Sequence, residues 1–166
     1  MADVSVNAKN NIDFKKYRKL FIKINKRICR IYVLRPMIKV SCAIIERKDR
    51  VLVCKRSDKM DLAGKWEFPG GKLREDESAE ASIVREIREE LSIDIEVIEK
   101  LPVHQHTYSH KAIELIPFRA KIIQGEIKLT EHSEFEWMDV EELPLLEWAD
   151  ADVPILIDYL SLIKSR

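Results

Sequence analysis

The sequence lacks the features that define several common protein classes. Its 29 Lys and Arg residues balance 29 Asp and Glu residues, so no net charge points to a polyanionic partner, and we expect no requirement for nucleic acid. Its three cysteines, Cys29, Cys42 and Cys54, show no CxxC spacing, which argues against a disulfide framework or a zinc knuckle and fits a reducing compartment. No apolar run approaches the roughly 20 residues that span a bilayer. We therefore expect a cytoplasmic protein without a membrane partner.

Glycine is also scarce, with only four in the chain. Three of them lie within residues 57–73, together with Pro69, in a stretch of mostly polar residues. Glycine and proline permit or impose the backbone conformations that tight turns need. The pattern predicts a loop over residues 57–73, with Gly70-Gly71 free to approach another part of the chain closely.

Positive charge is concentrated near the N-terminus. Residues 1–36 contain ten Lys and Arg and two Asp, a net charge of +8 that the remaining chain balances. Because Arg35-Pro36 separates this segment from a regular pattern, we predict a basic N-terminal extension at residues 1–36 and a compact domain at residues 37–166. Three interpretations of the extension stay open: a solvated arm or amphipathic helix packed on the domain, a patch for anionic surfaces, and an upstream start that is not native.

The domain pattern combines strands and two helices. Ser78–Leu91 has an apolar stripe at helical spacing, and Ser78 is suited to be its N-cap. A final helix is predicted from Asp152, with Pro154 in its first turn, through Ile163. Strands are predicted at residues 38–46, 50–55, 93–98, 101–108, 112–123 and 135–138. Strands flanking two helices predict an α+β fold of the α/β/α sandwich type.

Three glutamates of the first helix, Glu86, Glu89 and Glu90, stand at positions i, i+3 and i+4. At about 100° per residue they occupy roughly a 100° arc of one helix face. Carboxylates so close repel each other unless solvent, arginine partners or a bound cation stabilises them. By itself the helix leaves two interpretations open, a solvated charged face and a cation site.

The helix and the preceding loop together resemble a known motif. Gly71, five residues, Glu77, seven residues and Arg85-Glu86-Ile87-Arg88-Glu89-Glu90-Leu91-Ser92-Ile93 follow the Nudix box, G-x5-E-x7-R-E-U-x-E-E-x-G-U with U aliphatic, at eight of nine defined positions. Such agreement arises by chance well below about once in ten thousand chains of this size. The departure is Ser92, where the family has a glycine that often takes a left-handed backbone; serine there costs roughly 1 kcal/mol and removes no ligand.

The resemblance to Nudix hydrolases implies a fold and a chemistry. The fold is an α/β/α sandwich with a mixed central sheet, a Nudix loop-helix and a C-terminal helix. In the family the box glutamates and a loop carbonyl bind Mg²⁺ or Mn²⁺, which orients water while a diphosphate linkage is cut. The metal ligands carried over are Glu86, Glu89, Glu90 and the Gly70 carbonyl. Arg85 completes the expected catalytic set by orienting Glu86, with Glu77 in support; the alternative for Arg85 is a surface ion pair with Glu89.

Over residues 38–160 the chain looks like the MutT branch and the related bacterial CTP pyrophosphohydrolases. Its markers are Arg56, the run from Trp66 to Lys72, Glu131 before Glu136-Trp137-Met138, and Ala151-Asp152-Val153-Pro154. The resemblance implies substrate contacts from Arg56, Glu67, Phe68, Pro69, Gly70 and Asp152.

Two of these residues have a second interpretation. Glu131 is expected to add a carboxylate to the metal site, or to be an exposed loop acid. Asp152 stands where the 8-oxo-dGTP hydrolases have an asparagine that reads the purine, but it is also placed to be the N-cap of the last helix. An ionised aspartate only accepts hydrogen bonds, whereas asparagine donates and accepts.

The expected activity is Mg²⁺-dependent hydrolysis of a nucleoside triphosphate to the monophosphate and pyrophosphate. The leading expected substrate is 8-oxo-dGTP, so the enzyme sanitises the nucleotide pool and protects DNA replication. The alternative substrates are CTP, dCTP or 5-substituted cytidine triphosphates. An alternative of another class is a nucleotide-binding Nudix module without catalysis. The sequence is compatible with a monomer or a homodimer.

Overall fold

The structure, a computed structural model, describes residues 37–165. The predicted basic extension lies outside the described residues. The elements are β1 (Met37–Arg47), β2 (Arg50–Lys55), β3 (Trp66–Glu67), β4 (Gly70–Lys72), α1 (Ala79–Leu91), β5 (Ile93–Lys100), β6 (His104–Thr107), β7 (Ala112–Gly125), β8 (Glu134–Asp139), a 3₁₀ turn (Leu143–Leu145) and α2 (Val153–Lys164). Neither described helix has the length and apolar character that crossing a membrane requires.

The strands form one mixed sheet. Its central order is β3-β2-β1-β7-β5, with β4 added to β1, β6 to β7 and β8 to β2. The two long strands β1 and β7 run parallel, with Met37 opposite Ala112 and Glu46 opposite Lys121. β2 pairs with β1 only near the turn that joins them, and β4 pairs with the N-terminal half of β1 instead. The sheet therefore divides beside β1, and the loop that carries Gly70 fills the division.

Successive residues of β1 enter two separate cores. Cys42 and Ile44 pack on one face with residues of α2. Ala43 and Ile45 pack on the other face with residues of α1. This alternation follows from the two-residue period of a strand, and it explains why the central strands are apolar on both faces. One helix covers each face of the mixed sheet, which confirms the predicted α+β sandwich.

The stretch at residues 57–73 contains more regular structure than the predicted loop. Trp66 and Glu67 pair with β2, and Gly70–Lys72 pairs with β1. Strands of two and three residues are too short for a period-two pattern to reveal them, because only tertiary pairing defines them. The predicted strand at residues 101–108 is likewise limited to His104–Thr107.

Both ends of α1 have the predicted geometry. The Ser78 hydroxyl oxygen accepts a hydrogen bond from the Ala81 N–H at 3.1 Å. Just past the helix, Ser92 has φ 59° and ψ 27°, which is the left-handed region. The serine that replaces the family's glycine therefore keeps the glycine's backbone conformation.

Candidate active site

The first turns of α1 lie very close to β1, in the middle of the sheet. The hydroxyl groups of Ser41 on β1 and Ser82 on α1 form a buried hydrogen bond of 3.1 Å. A Cβ atom on Gly71 would collide with the Glu86 carboxylate, and one on Gly70 would collide with the Ser41 backbone. The small residues on both sides thus let the helix bring Glu86 directly against the loop backbone.

Arg85 binds several acceptors around the base of the helix. Its Nε and Nη2 atoms donate to the two carboxylate oxygens of Glu77 at 2.7 Å each. Its Nη1 donates to Glu86 at 2.6 Å and to Glu89 at 3.1 Å. Arg85 therefore makes both contacts that the sequence left as alternatives, the one to Glu86 and the one to Glu89. The Arg85 guanidinium lowers the pKa of Glu77 to about 2, so Glu77 stays ionised and remains bound to Arg85. The contacts of Arg85 with Glu77, Glu86 and Glu89 are called the clamp below.

Glu90 is the buried acid of the same helix. Its relative exposure is 6%, and the Gly70 N–H donates to its carboxylate. Its Oε2 atom is buried and has no hydrogen-bond partner among the described residues. Burial raises the pKa of Glu90 to about 8, and the charges of Glu131 and Glu67 add to the effect. The fold therefore holds a carboxylate where an unbalanced negative charge is costly.

The segment between β7 and β8 carries Glu131 to this acid. The Thr130 N–H and hydroxyl both donate to the Glu90 carbonyl, at 3.0 and 3.2 Å. Glu131 follows and lines the same cleft as Glu86 and Glu90. Glu89 has a different setting, because its half-exposed carboxylate is bound by Arg74 at 2.9 Å and lies outside the cleft wall.

A cleft of about 470 Å³ connects these carboxylates with most of the predicted substrate residues. Arg56, Glu67, Phe68, Gly70 and Asp152 contribute to its wall. Pro69 does not: it is fully buried, and its carbonyl accepts from the Ala43 N–H at 2.9 Å. Its role in the structure is to anchor the loop on β1.

Asp152 lies at the start of α2 and lines the cleft. It occupies the N-cap position of α2, as predicted, but its side chain makes no capping hydrogen bond. Oδ1 instead accepts from the Phe68 N–H at 3.1 Å, which the sequence could not show because the two residues are 84 positions apart. Burial raises the pKa of Asp152 well above its ordinary value, and the negative charge of Glu67 raises it further.

Phe68 serves mainly as a packing residue. It is 2% exposed, and its ring centroid lies 4.7 Å from that of Trp148. Tyr108, a second aromatic residue, is half-buried and lines the cleft. His132, which no sequence motif indicated, is buried behind Glu67 and bonded to it at 2.9 Å. Its position directly after Glu131 was the available signal.

Residues 35–159 match the family model of the NUDIX domain. The mixed sheet between two helices and the carboxylate helix beside a glycine loop agree with that match. The chain therefore belongs to the Nudix family, in the MutT-like branch of Nudix hydrolases.

Two curated proteins illustrate the particular relatives. The chain is 38% identical to CTP pyrophosphohydrolase of Escherichia coli (strain K12) over 130 residues, covering 78% of this chain and 96% of that protein. It is 33% identical to putative 8-oxo-dGTP diphosphatase 2 of Mycobacterium tuberculosis (strain ATCC 25618 / H37Rv) over 117 residues, covering 68% of this chain and 81% of that protein.

Solved structures agree with this assignment. The solution structure of the E. coli ORF135 protein matches with a TM-score of 0.69 at 38% identity, covering 78% of this chain and 93% of that one. The crystal structure of MutT Nudix hydrolase from Burkholderia pseudomallei matches with a TM-score of 0.67 at 28% identity, covering 73% and 96%.

Proposed function

We propose that this protein hydrolyses a nucleoside triphosphate to the nucleoside monophosphate and pyrophosphate, with Mg²⁺ as cofactor and Mn²⁺ able to replace it. The observation that carries the proposal is the single cleft that joins Arg56 and Asp152 to Glu86 and Glu90. A cationic group, a buried acid and a carboxylate cluster within one cleft match the phosphate chain, the base and the metal of one substrate complex. A module that only binds nucleotide has no need of this cluster.

The potential ligand atoms around Glu90 suit a hard divalent cation. Glu86, Glu90, Glu131 and the Gly70 carbonyl offer only oxygen atoms, which Mg²⁺ prefers. The unpartnered Glu90 Oε2 is the atom that a cation would satisfy. Within the described residues no three His, Cys, Asp or Glu side chains already converge as an ion site. When bound, the cation supplies activation of water and neutralisation of phosphate charge.

Arg56 and Arg85 have different roles in the site. Arg56 lies in the cleft wall with its side chain 18% exposed, so it binds phosphate oxygens through charge-assisted hydrogen bonds. Arg85 lies outside the cleft wall and orients Glu86, and Glu77 neutralises the charge of Arg85. Glu89, bound by Arg74 and Arg85, is the carboxylate that must leave its partners to become a ligand.

Asp152 is the residue that we assign to the base. Its raised pKa favours the protonated form, and a protonated carboxyl both donates and accepts, as an asparagine does. That pairing suits the edge of 8-oxo-dGTP, which remains our first candidate substrate, with sanitation of the nucleotide pool as the role. The second candidate is a cytidine triphosphate, favoured by the 38% identity to a CTP pyrophosphohydrolase of nearly the same length.

The decisive experiment is a substrate panel. Purified protein with Mg²⁺ is incubated with dGTP, 8-oxo-dGTP, dCTP, CTP and 5-hydroxy-dCTP, and pyrophosphate release is measured. Turnover of at least one triphosphate is expected. The rank order of the turnover rates decides between the purine and the cytidine candidates. Binding without any turnover would replace the proposal with the non-catalytic module.

Asp152→Ala tests the base assignment within that panel. The methyl side chain removes both hydrogen-bonding functions of the carboxyl group. We expect the ranking of bases to change while kcat for the best substrate stays within about tenfold, a shift of roughly 1.4 kcal/mol at most. An unchanged ranking would reduce Asp152 to an anchor for the Phe68 N–H.

A further inference from the structure

His132 is almost wholly buried behind the cleft wall, with its side chain 1% exposed. Its Nε2 atom lies 2.9 Å from Oε1 of Glu67. An ionised carboxylate only accepts hydrogen bonds, so Nε2 carries the proton and donates. The other ring nitrogen, Nδ1, is buried without a partner among the described residues. The bond to Glu67 is therefore the polar interaction that the structure gives this imidazole.

Glu67 transmits that bond to the cleft. Its second oxygen, Oε2, accepts from Nη1 of Arg56, so both carboxylate oxygens are engaged and the group cannot rotate. Arg56 in turn donates from Nε to the Asp61 carbonyl. With Nε and Nη1 held, the remaining guanidinium donors are left for a ligand in the cleft that Arg56 lines.

The hydrogen-bonded series of His132, Glu67 and Arg56 is called the relay below. Backbone hydrogen bonds hold its two ends close together. The N–H and hydroxyl of Ser133 donate to the Lys55 carbonyl at 3.0 and 3.2 Å. Lys55 ends β2 and immediately precedes Arg56. His132 and Arg56 therefore stand on neighbouring, hydrogen-bonded segments, and Glu67 lies between their side chains.

A packing role alone does not account for a histidine here. An imidazole with one orphaned nitrogen is a costly core residue, and an apolar side chain of similar size would fill the space without that penalty. What histidine adds is the single Nε2–H donor that faces Glu67.

We propose that His132 is a positioning residue for substrate binding. It fixes Glu67, and Glu67 holds the Arg56 guanidinium in the orientation that receives the phosphate chain. The inference rests on the proposed role of Arg56 in binding phosphate. Since His132 holds a binding group, its loss weakens substrate binding and leaves bond cleavage in the bound complex largely unchanged.

The test compares His132→Asn with His132→Gln. The asparagine amide nitrogen takes the place of Nδ1 and does not reach Glu67, whereas the glutamine amide nitrogen reaches the place of Nε2. Binding of α,β-methylene dGTP and α,β-methylene CTP, which resist cleavage between the first two phosphates, is measured by calorimetry, and kcat and KM are measured on the cleaved substrate. His132→Asn should raise Kd and KM roughly tenfold with kcat within about twofold, and His132→Gln should retain most of the affinity.

His104→Asn is the matched control. His104 also has its Nε2 on a carboxylate, Asp158, at 2.8 Å, but it lies outside the cleft wall. The control should leave Kd unchanged. A comparable loss of affinity in His104→Asn would show a general effect of removing a histidine that is bonded to a carboxylate and would overturn the inference.

A double-mutant cycle separates this inference from the proposed function. In an Arg56→Ala background, His132→Asn should cause little further loss, because it acts through Arg56. If Arg56→Ala itself leaves binding unchanged, the phosphate role of Arg56 fails and the inference falls with it. If Arg56→Ala weakens binding but His132→Asn does not, or weakens it equally in both backgrounds, only the positioning role is overturned.

Glu67→Gln covers the case in which His132→Asn does not fold. The amide keeps the size of Glu67 but offers one acceptor atom for two donors. Affinity should fall by a similar factor, and normal affinity in a folded Glu67→Gln protein would contradict the relay.

Discussion

Glu90 is the acid of α1 that the fold shields most from water, and Ser92 two residues later bears a backbone conformation that favours glycine. Both residues are unfavourable for folding when considered alone, for different reasons. The carboxylate loses hydration without gaining a full set of partners, whereas the serine is strained by its own Cβ atom. The free-energy cost of burying Glu90 is linked to the proposed chemistry, whereas the strain at Ser92 is not.

Replacement of Glu90 by glutamine is expected to lower kcat by at least about a hundredfold, because an amide is a poor ligand for a hard cation. Steady-state kinetics at saturating Mg²⁺ measures the change. Glu80→Gln is the matched control, since Glu80 is exposed on the same helix and lies outside the cleft wall. Near-normal activity of the Glu90 variant would remove this side chain from the site.

Replacement of Ser92 by glycine is expected to increase the free energy of unfolding by about 1 kcal/mol, because glycine has no Cβ to clash in the left-handed region. Urea denaturation measures the change, and activity should stay unaltered. Ser165→Gly is the control: this serine ends α2 at φ −88°, so glycine there relieves no strain. Equal effects at the two positions would contradict the explanation.

At the scale of elements, the relation between the glycine loop and α1 decides the geometry of the site. Arg85 spans the two, since it donates to Glu77 on the loop side and to Glu86 within the helix, and also to the Lys72 carbonyl at 3.2 Å. The close approach depends equally on Gly71, where a side chain would displace the Glu86 carboxylate. The loop and the helix therefore act as one preorganised unit.

Arg85→Lys tests this unit. A lysine keeps the charge but cannot bind Glu77 in two places while donating to Glu86. The Mg²⁺ concentration that gives half-maximal activity should rise by about 10- to 100-fold, as measured by metal titration of the activity. Arg88→Lys, at an exposed position paired with Asp94, should leave the titration near that of the parent protein. Identical titrations for both variants would reject the clamp.

At the scale of the whole molecule, the described residues contain two hydrophobic cores and the cleft of the candidate site. The family match begins at residue 35, close to the boundary predicted at Pro36. The domain division itself is still a prediction. The basic extension at residues 1–36 is therefore best tested by removal.

A protein that starts at Met37 is expected to unfold cooperatively and to keep kcat/KM within about twofold, a difference of less than 1 kcal/mol in transition-state stabilisation. Circular dichroism during heating and steady-state kinetics provide the two measurements. Loss of the cooperative transition would show that the extension belongs to the domain core.

The sequence alone determined the chemical character of the protein. The Nudix box can be recognised because its residues are local: Gly71, Glu77, Arg85 and the glutamates lie within one loop and one helix, where spacing dictates direction. The same locality made α1, its Ser78 cap and the left-handed Ser92 predictable. Apolar strands with period two likewise indicated a sheet covered on both faces.

Only the tertiary structure decided which distant residues share the cleft. Two contacts join segments that are far apart in sequence: the bond from Phe68 to Asp152 and the relay from His132 through Glu67 to Arg56. The tertiary structure also places Glu131 in the cleft wall and leaves Glu89 outside it. Side-chain partners across such separations depend on strand register and helix packing, which no local pattern encodes. Asp152 illustrates the point: its place at the start of a helix suggested a capping side chain, but its carboxyl group accepts from the distant Phe68 N–H instead.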